Sequence, residues 1–225
     1  MHPLLSNPVW ESLSSTHAGF ARQSGAMLRF LPEVAPFCAV PEDGISLTDP
    51  SGLAAGEIVY FLGPMPAWPA GWTVLQEFAV LQMVYGGGQP DADSASAQVL
   101  GVHDRAAMQA LTALVYPEFF RPRTAELGMY IGHYAQGRLA AMAGQRMACP
   151  GYREISAVCT HPAHRGEGHA GRLIAQLSAA ILADGDTPFL HVSASNKGAW
   201  SLYERLGFVP GRTLPCVKVQ AAATP

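Results

Sequence analysis

The sequence is poor in charge and gathers no basic cluster. Of its 225 residues, 14 are Lys or Arg and 17 are Asp or Glu, a net charge of −3. Gripping a phosphate backbone needs a concentrated basic surface, so nucleic acid is excluded as an expected partner. Long apolar runs are missing too: the best stretches, such as Phe78 to Leu81, are cut by residues like Gln82, well short of the about 18 residues that signal a bilayer span. No membrane span is expected. No basic residue precedes Arg22, so the charged start of a secretory signal is lacking and a cytoplasmic location is expected. Cys38, Cys149, Cys159 and Cys216 show no C-x-x-C spacing, and a chain of this size needs no disulfide staples, so reduced thiols are the default. What the chain does have is 49% hydrophobic residues with only 14% charged, which supports a sizeable core and an apolar surface suited to a homodimer.

The run from Gly86 to Ser94, GGGQPDADS, lacks apolar periodicity and reads as a linker. It divides the chain into residues 1–88, whose role the sequence does not assign, and a domain at 97–220. In the first part only Glu57 to Leu62 and Trp72 to Val84 look like strands. In the second, Ala97 to Leu100 reads as a short strand, Asp104 can cap a helix through Val115, and Leu127 to Tyr134 pairs with Arg138 to Met147 about a turn at Gln136-Gly137. Glu154 to Thr160 reads as a buried strand. It leads into the loop Arg165-Gly166-Glu167-Gly168-His169-Ala170, a helix with Leu173, Ile174, Leu177, Ala180 and Ile181 on one face, and a strand from Pro188 to Ala194. Together these make a βαβ unit with parallel strands. Asn196 then caps a helix that carries Ala199, Leu202, Tyr203 and Leu206 on one face and stops at Gly207.

A strand, a glycine loop and a helix N-terminus make an anion site, because the first amides of a helix have no internal partner. Gly166 to Gly171 matches G-x-G-x-x-G literally, but five residues separate it from the strand and no acidic residue ends the next strand, which argues against a dinucleotide fold. No suitable G-K-[ST] follows a glycine loop, so a P-loop is excluded. Cys159, His161, His164 and His169 are metal-ligand types, but their C-x-H-x-x-H-x4-H spacing fits no common structural site, and no metal is expected. Strand alternation places Cys159 with Ile155 and Ala157, opposite Glu154, Val158 and Thr160, so Cys159 reads as a small buried residue.

Arg165-x-x-Gly168-x-Ala170, after a strand and opening a helix, resembles the R/Q-x-x-G-x-G/A pyrophosphate loop of the GCN5-related N-acetyltransferase (GNAT) superfamily. Asn196-x-x-Ala199-x-x-Leu202-Tyr203-x-x-x-Gly207-Phe208 resembles its second signature, in the right order and at the expected distance. EISAVCTHPAHRGEGHA and PFLHVSASN look most like the FR47-like branch. The resemblance covers about residues 97–219 and implies an α/β fold. That fold is a mixed, mostly antiparallel sheet with a central parallel βαβ unit flanked by helices, here with a smaller N-terminal α+β region for which a partial GNAT-like lobe is one reading.

The same resemblance implies acyl transfer from acetyl-CoA to a small-molecule or peptide primary amine by direct attack in a ternary complex; the runner-up is an inactive acyl-CoA sensor or scaffold. It assigns the pyrophosphate to the amides of Arg165, Gly166, Glu167, Gly168, His169 and Ala170, and the pantetheine arm to the backbone of Val158, Cys159 and Thr160. Asn196 is either a helix cap alone or also a partner of that arm. Tyr203 is either a core aromatic or the acid that protonates the leaving thiolate. Glu154 is either the base, with its pKa raised toward neutrality by partial burial, or a strand-end carboxylate facing water or paired with a cation such as Arg153. The acceptor pocket is expected around Phe119 to Leu127 and Tyr130 to Tyr134, with the first half as a further contributor.

Overall fold

The computed structural model describes residues 2–47, 52–88, 90, 97–115 and 117–222; most of the expected linker, residues 89 and 91–94, lies outside them. The strands, in chain order, are β1 (Ala21–Ser24), β2 (Met27–Phe30), β3 (Phe37–Ala39), β4 (Ile58–Leu62), β5 (Thr73–Tyr85), β6 (Gln98–Val99), β7 (Tyr130–Ala135), β8 (Arg138–Cys149), β9 (Tyr152–Thr160), β10 (Thr187–Ser193) and β11 (Phe208–Gln220). The α-helices are α1 (Pro8–Leu13), α2 (Arg105–Val115), α3 (His169–Ala183) and α4 (Lys197–Arg205). All eleven strands form one sheet in the order β1-β2-β3-β4-β11-β5-β10-β9-β8-β7-β6. Neighbours run antiparallel except β3 with β4 and β9 with β10.

The expected division between residues 1–88 and 97–220 falls between β5 and β6 in the chain, yet the sheet runs unbroken through both parts. The last strand of each part crosses into the other: β5 lies against β10, and β11 lies between β4 and β5. The first part therefore supplies the strand on which β10 rests.

Period-two alternation sorts the side chains of β7 and β8 onto two faces. Tyr130 and Met142 meet Met108 and Leu111 of α2, while Ile131, Ala141 and Ala143 meet Leu173, Ile174 and Leu177 of α3. Helix α1 covers another stretch, where Leu5, Val9 and Leu13 pack with Phe30, Phe37, Met147 and Phe189. Close approach is forced at Gly144, where a Cβ would come within 2.2 Å of the Tyr130 ring. Each of these packings uses residues from distant parts of the chain, which brings the site together.

Candidate active site

Parallel pairing between β9 and β10 runs only from Thr187–Tyr152 through Phe189–Glu154. Beyond that point β10 stays paired with β5 as far as Ser193, while β9 stays with β8 as far as Thr160, so the two strands diverge. The cause lies in β9: Ala157 has φ 51°, and the register with β8 shifts between Met142–Cys159 and Gly144–Ser156, a β-bulge that bends the strand. The divergence leaves residues 155–158 facing a cavity of about 490 Å³, lined on this side by Ile155, Ser156, Ala157, Val158, Val192, Ser193, Asn196 and Tyr203.

The bulge also corrects the expected alternation. Ile155 and Val158 pack toward α3, whereas Ala157 and Cys159 pack toward α2, so Ile155 does not share a face with Cys159, nor Glu154 with Val158. Cys159 is 1% exposed, and burial pushes its thiol up to about 12, so it is a core residue and no nucleophile.

At the end of β9 the chain turns through Pro162–His164 and enters α3 by Gly166 (φ 84°) and Gly168 (φ 77°), conformations that suit glycine. Gly168 occupies the N-cap of α3 and no side chain caps the helix there, so the amides of its first turn face the loop. Arg165, Gly166, Glu167 and Gly168 are exposed, His169 and Ala170 half-buried. The Glu167 carboxylate lies 3.4 Å from Nδ1 of His164 and 3.1 Å from Nε2 of His169, and these three residues bring their ligand atoms within 4.8 Å of one another. Arg172 donates to the other nitrogen of His169 at 3.0 Å. The group takes in Glu167 and leaves out Cys159 and His161, which the sequence grouped with His164 and His169.

Asn196 does cap α4, its Oδ1 accepting from the Ala199 amide at 3.1 Å, and it also lines the cavity. Tyr203, about two turns into α4, is 9% exposed; its ring packs edge-on to Phe208 at 6.3 Å while the residue lines the cavity. Both readings of each residue are thus geometrically compatible.

Glu154 takes the second of its two readings, a carboxylate paired with a cation, but in the interior rather than facing water. It is 0% exposed, on the part of β9 still paired with β10, and its carboxylate accepts two hydrogen bonds from Arg146 at 2.6 and 2.9 Å, one from the Met147 amide at 3.2 Å, and one from Nδ1 of His191 at 2.8 Å. Burial alone would push its pKa up. The charge and hydrogen bonds of Arg146, with the hydrogen bond of His191, outweigh burial and hold it at about 2. The cation that pairs with it is Arg146, while Arg153 pairs with Asp186 at 2.8 Å.

Arg146 and His191 are the residues that sequence reasoning missed. Both line the cavity. Arg146 also lies over the Phe37 ring, 4.8 Å from its centroid. Nε2 of Gln82 donates to the Leu5 carbonyl at 2.9 Å and meets Nε2 of His191 at 3.0 Å. An amide nitrogen only donates, so Nε2 of His191 accepts and its Nδ1 carries the proton toward Glu154. A signal was present: an arginine inside the apolar strand RLAAMAGQRMAC, and a histidine inside PFLHVS, each require a buried partner.

The far wall of the cavity comes from the first part of the chain, with Phe37 of β3, Leu62 of β4, and Gln76, Phe78 and Val80 of β5, and from Val115, Glu118 and Phe119 at and after the end of α2. Of the two expected flanks, only Phe119 of Phe119 to Leu127 lines it, and none of Tyr130 to Tyr134 does.

The family model for FR47-like protein matches residues 130–213. No curated protein matches the sequence. A solved structure from Novosphingobium aromaticivorans, described as an acetyltransferase of the GNAT family, is 34% identical, with all of both chains covered and a TM-score of 0.87. Two further structures share the fold: a GCN5-related N-acetyltransferase from Kribbella flavida (18% identity, 92% of this chain and 93% of that one, TM-score 0.59) and a GCN5-related N-acetyltransferase-like protein from Streptococcus suis (16%, 94% and 92%, TM-score 0.62). A mixed α/β fold built on a large, mostly antiparallel sheet, together with a full-length relative at this identity, places the chain in the GNAT family of acetyltransferases.

Proposed function

We propose that the protein is a cytoplasmic N-acyltransferase that moves an acyl group, in the first instance acetyl, from coenzyme A to a primary amine by direct attack in a ternary complex. The observation that carries this reading is the divergence of β9 from β10, which opens an unpaired strand edge between a glycine loop on one side and an aromatic-walled cavity on the other. Four free, buried cysteines suit a reducing compartment. No helix among the described residues is long and apolar enough to cross a membrane.

The residues present fit acyl-CoA. The amides of Arg165 to Ala170, at a helix N-terminus entered through two positive-φ glycines, would hold the pyrophosphate. The free edge of Val158, Cys159 and Thr160 would pair with the amides of the pantetheine arm, as β10 does further down the strand, and Asn196 stands across the opening. Bound there, acyl-CoA supplies a thioester carbon open to attack and a thiol leaving group.

The acceptor nitrogen forms the new C–N bond as the C–S bond breaks. Tyr203, on the cavity wall, gives its phenolic proton to the departing thiolate, whose conjugate thiol has a pKa of about 8.5, and the phenolate is restored by the proton that the nitrogen sheds as it becomes an amide. The ammonium proton of the acceptor must leave before attack. Glu154, ionised and out of reach of the cavity, acts through His191: it fixes the Nδ1–H tautomer, so that a proton entering the ring goes to Nε2, which Gln82 covers at rest. Thiol release from acetyl-CoA, measured with and without added amines, tests the reading: release that requires an amine and yields its N-acetyl product supports it, and hydrolysis alone, or no coenzyme binding, refutes it.

A further inference from the structure

The acceptor end of the cavity is walled by aromatic rings, with Gln76, Glu118 and Arg146 as its polar members. Phe37 and Phe119 stack with centroids 5.6 Å apart and planes 13° apart, Phe119 lies 4.6 Å from the Tyr60 ring, and Phe78 completes the wall. Two ionic side chains line this end, and each is already matched. Arg146 is bound in bidentate fashion by Glu154. Glu118 accepts from Lys218 at 2.7 Å and from the Tyr60 hydroxyl, contacts that in this order hold its carboxyl below the usual range.

An anionic group on the acceptor finds its only cation among the described residues already held in the buried Arg146–Glu154 pair, and a second cation must compete with Lys218 for the half-exposed Glu118. Breaking the buried one leaves an uncompensated ion, at a cost of about 3–5 kcal/mol. A polyamine or aminoglycoside carries several cations, and Glu118 is the only acidic side chain lining the cavity among the described residues. A free amino acid carries a carboxylate, for which Arg146 would have to leave Glu154. Aromatic rings, in contrast, gain from offset or edge-on packing against other rings, about 0.5–1.5 kcal/mol a pair beyond the area they bury.

Resting on the acyltransferase reading above, we propose that the acceptor is a primary amine with an apolar, ring-sized body and no second charge, an arylalkylamine being the simplest example. The half-buried rings of Phe78 and Phe119 take the body, with Phe37 packed behind Phe119 as support, and the amine points along β10 toward Tyr203.

The test is steady-state thiol release from acetyl-CoA with 2-phenylethylamine, phenylalanine, spermidine and kanamycin. Phenylalanine has the same ring and amine plus a carboxylate, so it isolates the charge; kcat/KM for 2-phenylethylamine is expected at least about tenfold above it and above the two polycations. In Phe119→Ala, a change at a half-buried position after α2, KM for 2-phenylethylamine is expected to rise about tenfold with kcat little changed, and Phe78→Ala should act in the same sense. If spermidine, kanamycin or phenylalanine is the best acceptor, or both variants keep the wild-type KM, the acceptor assignment is overturned while the acyltransferase reading stands. If no amine is turned over, calorimetry decides: 2-phenylethylamine binding to the coenzyme A complex, weakened in Phe119→Ala, supports the assignment, and no such binding overturns it. Absence of coenzyme binding itself overturns the acyltransferase reading and this one with it.

Discussion

Two residues separate chemistry from scaffold. Tyr203 packs on Phe208 and lines the cavity, so Tyr203→Phe should keep the ring contacts and coenzyme affinity while kcat falls about 10²-fold, the usual worth of a positioned acid. Stopped-flow thiol release beside calorimetry with coenzyme A checks both halves; an unchanged kcat returns the residue to the core. Glu154 is a different case, since its carboxylate is buried against Arg146 and His191. Glu154→Gln leaves the guanidinium without its counter-charge, and the expected loss at pH 7 is about 3 kcal/mol or more. The folded-state pKa is depressed to about 2, so the stabilisation is complete above the unfolded value of about 4.3 and is lost as pH falls through the folded one. Urea unfolding of wild type and variant should therefore give a gap that is constant from pH 7 to about 5 and narrows toward pH 2. A gap that widens on acidification contradicts the assignment.

At the scale of the element, the glycine loop is the part most exposed to test. Gly168 sits at φ 77°, and a Cβ there would meet Nη1 of Arg172 at 3.0 Å, the far end of a flexible side chain. Gly168→Val should therefore fold, with strain of about 1–2 kcal/mol, yet lose coenzyme A binding by calorimetry at least about tenfold; circular dichroism shows whether the fold is kept, and unchanged affinity in the folded variant rejects the loop assignment. The elements around this loop were legible in the sequence for a physical reason. The 3.6-residue period of α3, the Asn196 cap and the short β9 and β10 all leave local marks. The bulge at Ala157 leaves none, because a register shift depends on the partner strand, so alternation put Glu154 on the wrong face. The elements α1, β1, β2 and β3 were also invisible: α1 has six residues, too few to show a period, and β2 is buried at every position, so nothing alternates.

At the scale of the molecule, a linker-like composition suggested two parts, while the exchange of β5 and β11 ties them into one sheet. No local pattern encodes that exchange, since a strand of either part has the same alternation wherever it pairs. Two consequences follow from it. Scanning calorimetry should show a single unfolding transition, and a chain cut to residues 97–220 should not fold, because β10 and β11 both lose β5; two resolved transitions, or a soluble and cooperative fragment, would contradict the shared sheet. The same arrangement makes the cavity a joint product, with a coenzyme side from β9, β10 and α4 and an acceptor side from β3, β4 and β5.

Hydrogen exchange with and without acetyl-CoA is the sharpest test of the coenzyme site, because it reports where the coenzyme lies without requiring the acceptor to be known. Slowed exchange is expected in the segment from Val158 through Arg172 and around Asn196, with no change in β1 and β2 at the distant edge of the sheet. Protection absent from the glycine loop, or concentrated in another part of the chain, would contradict it.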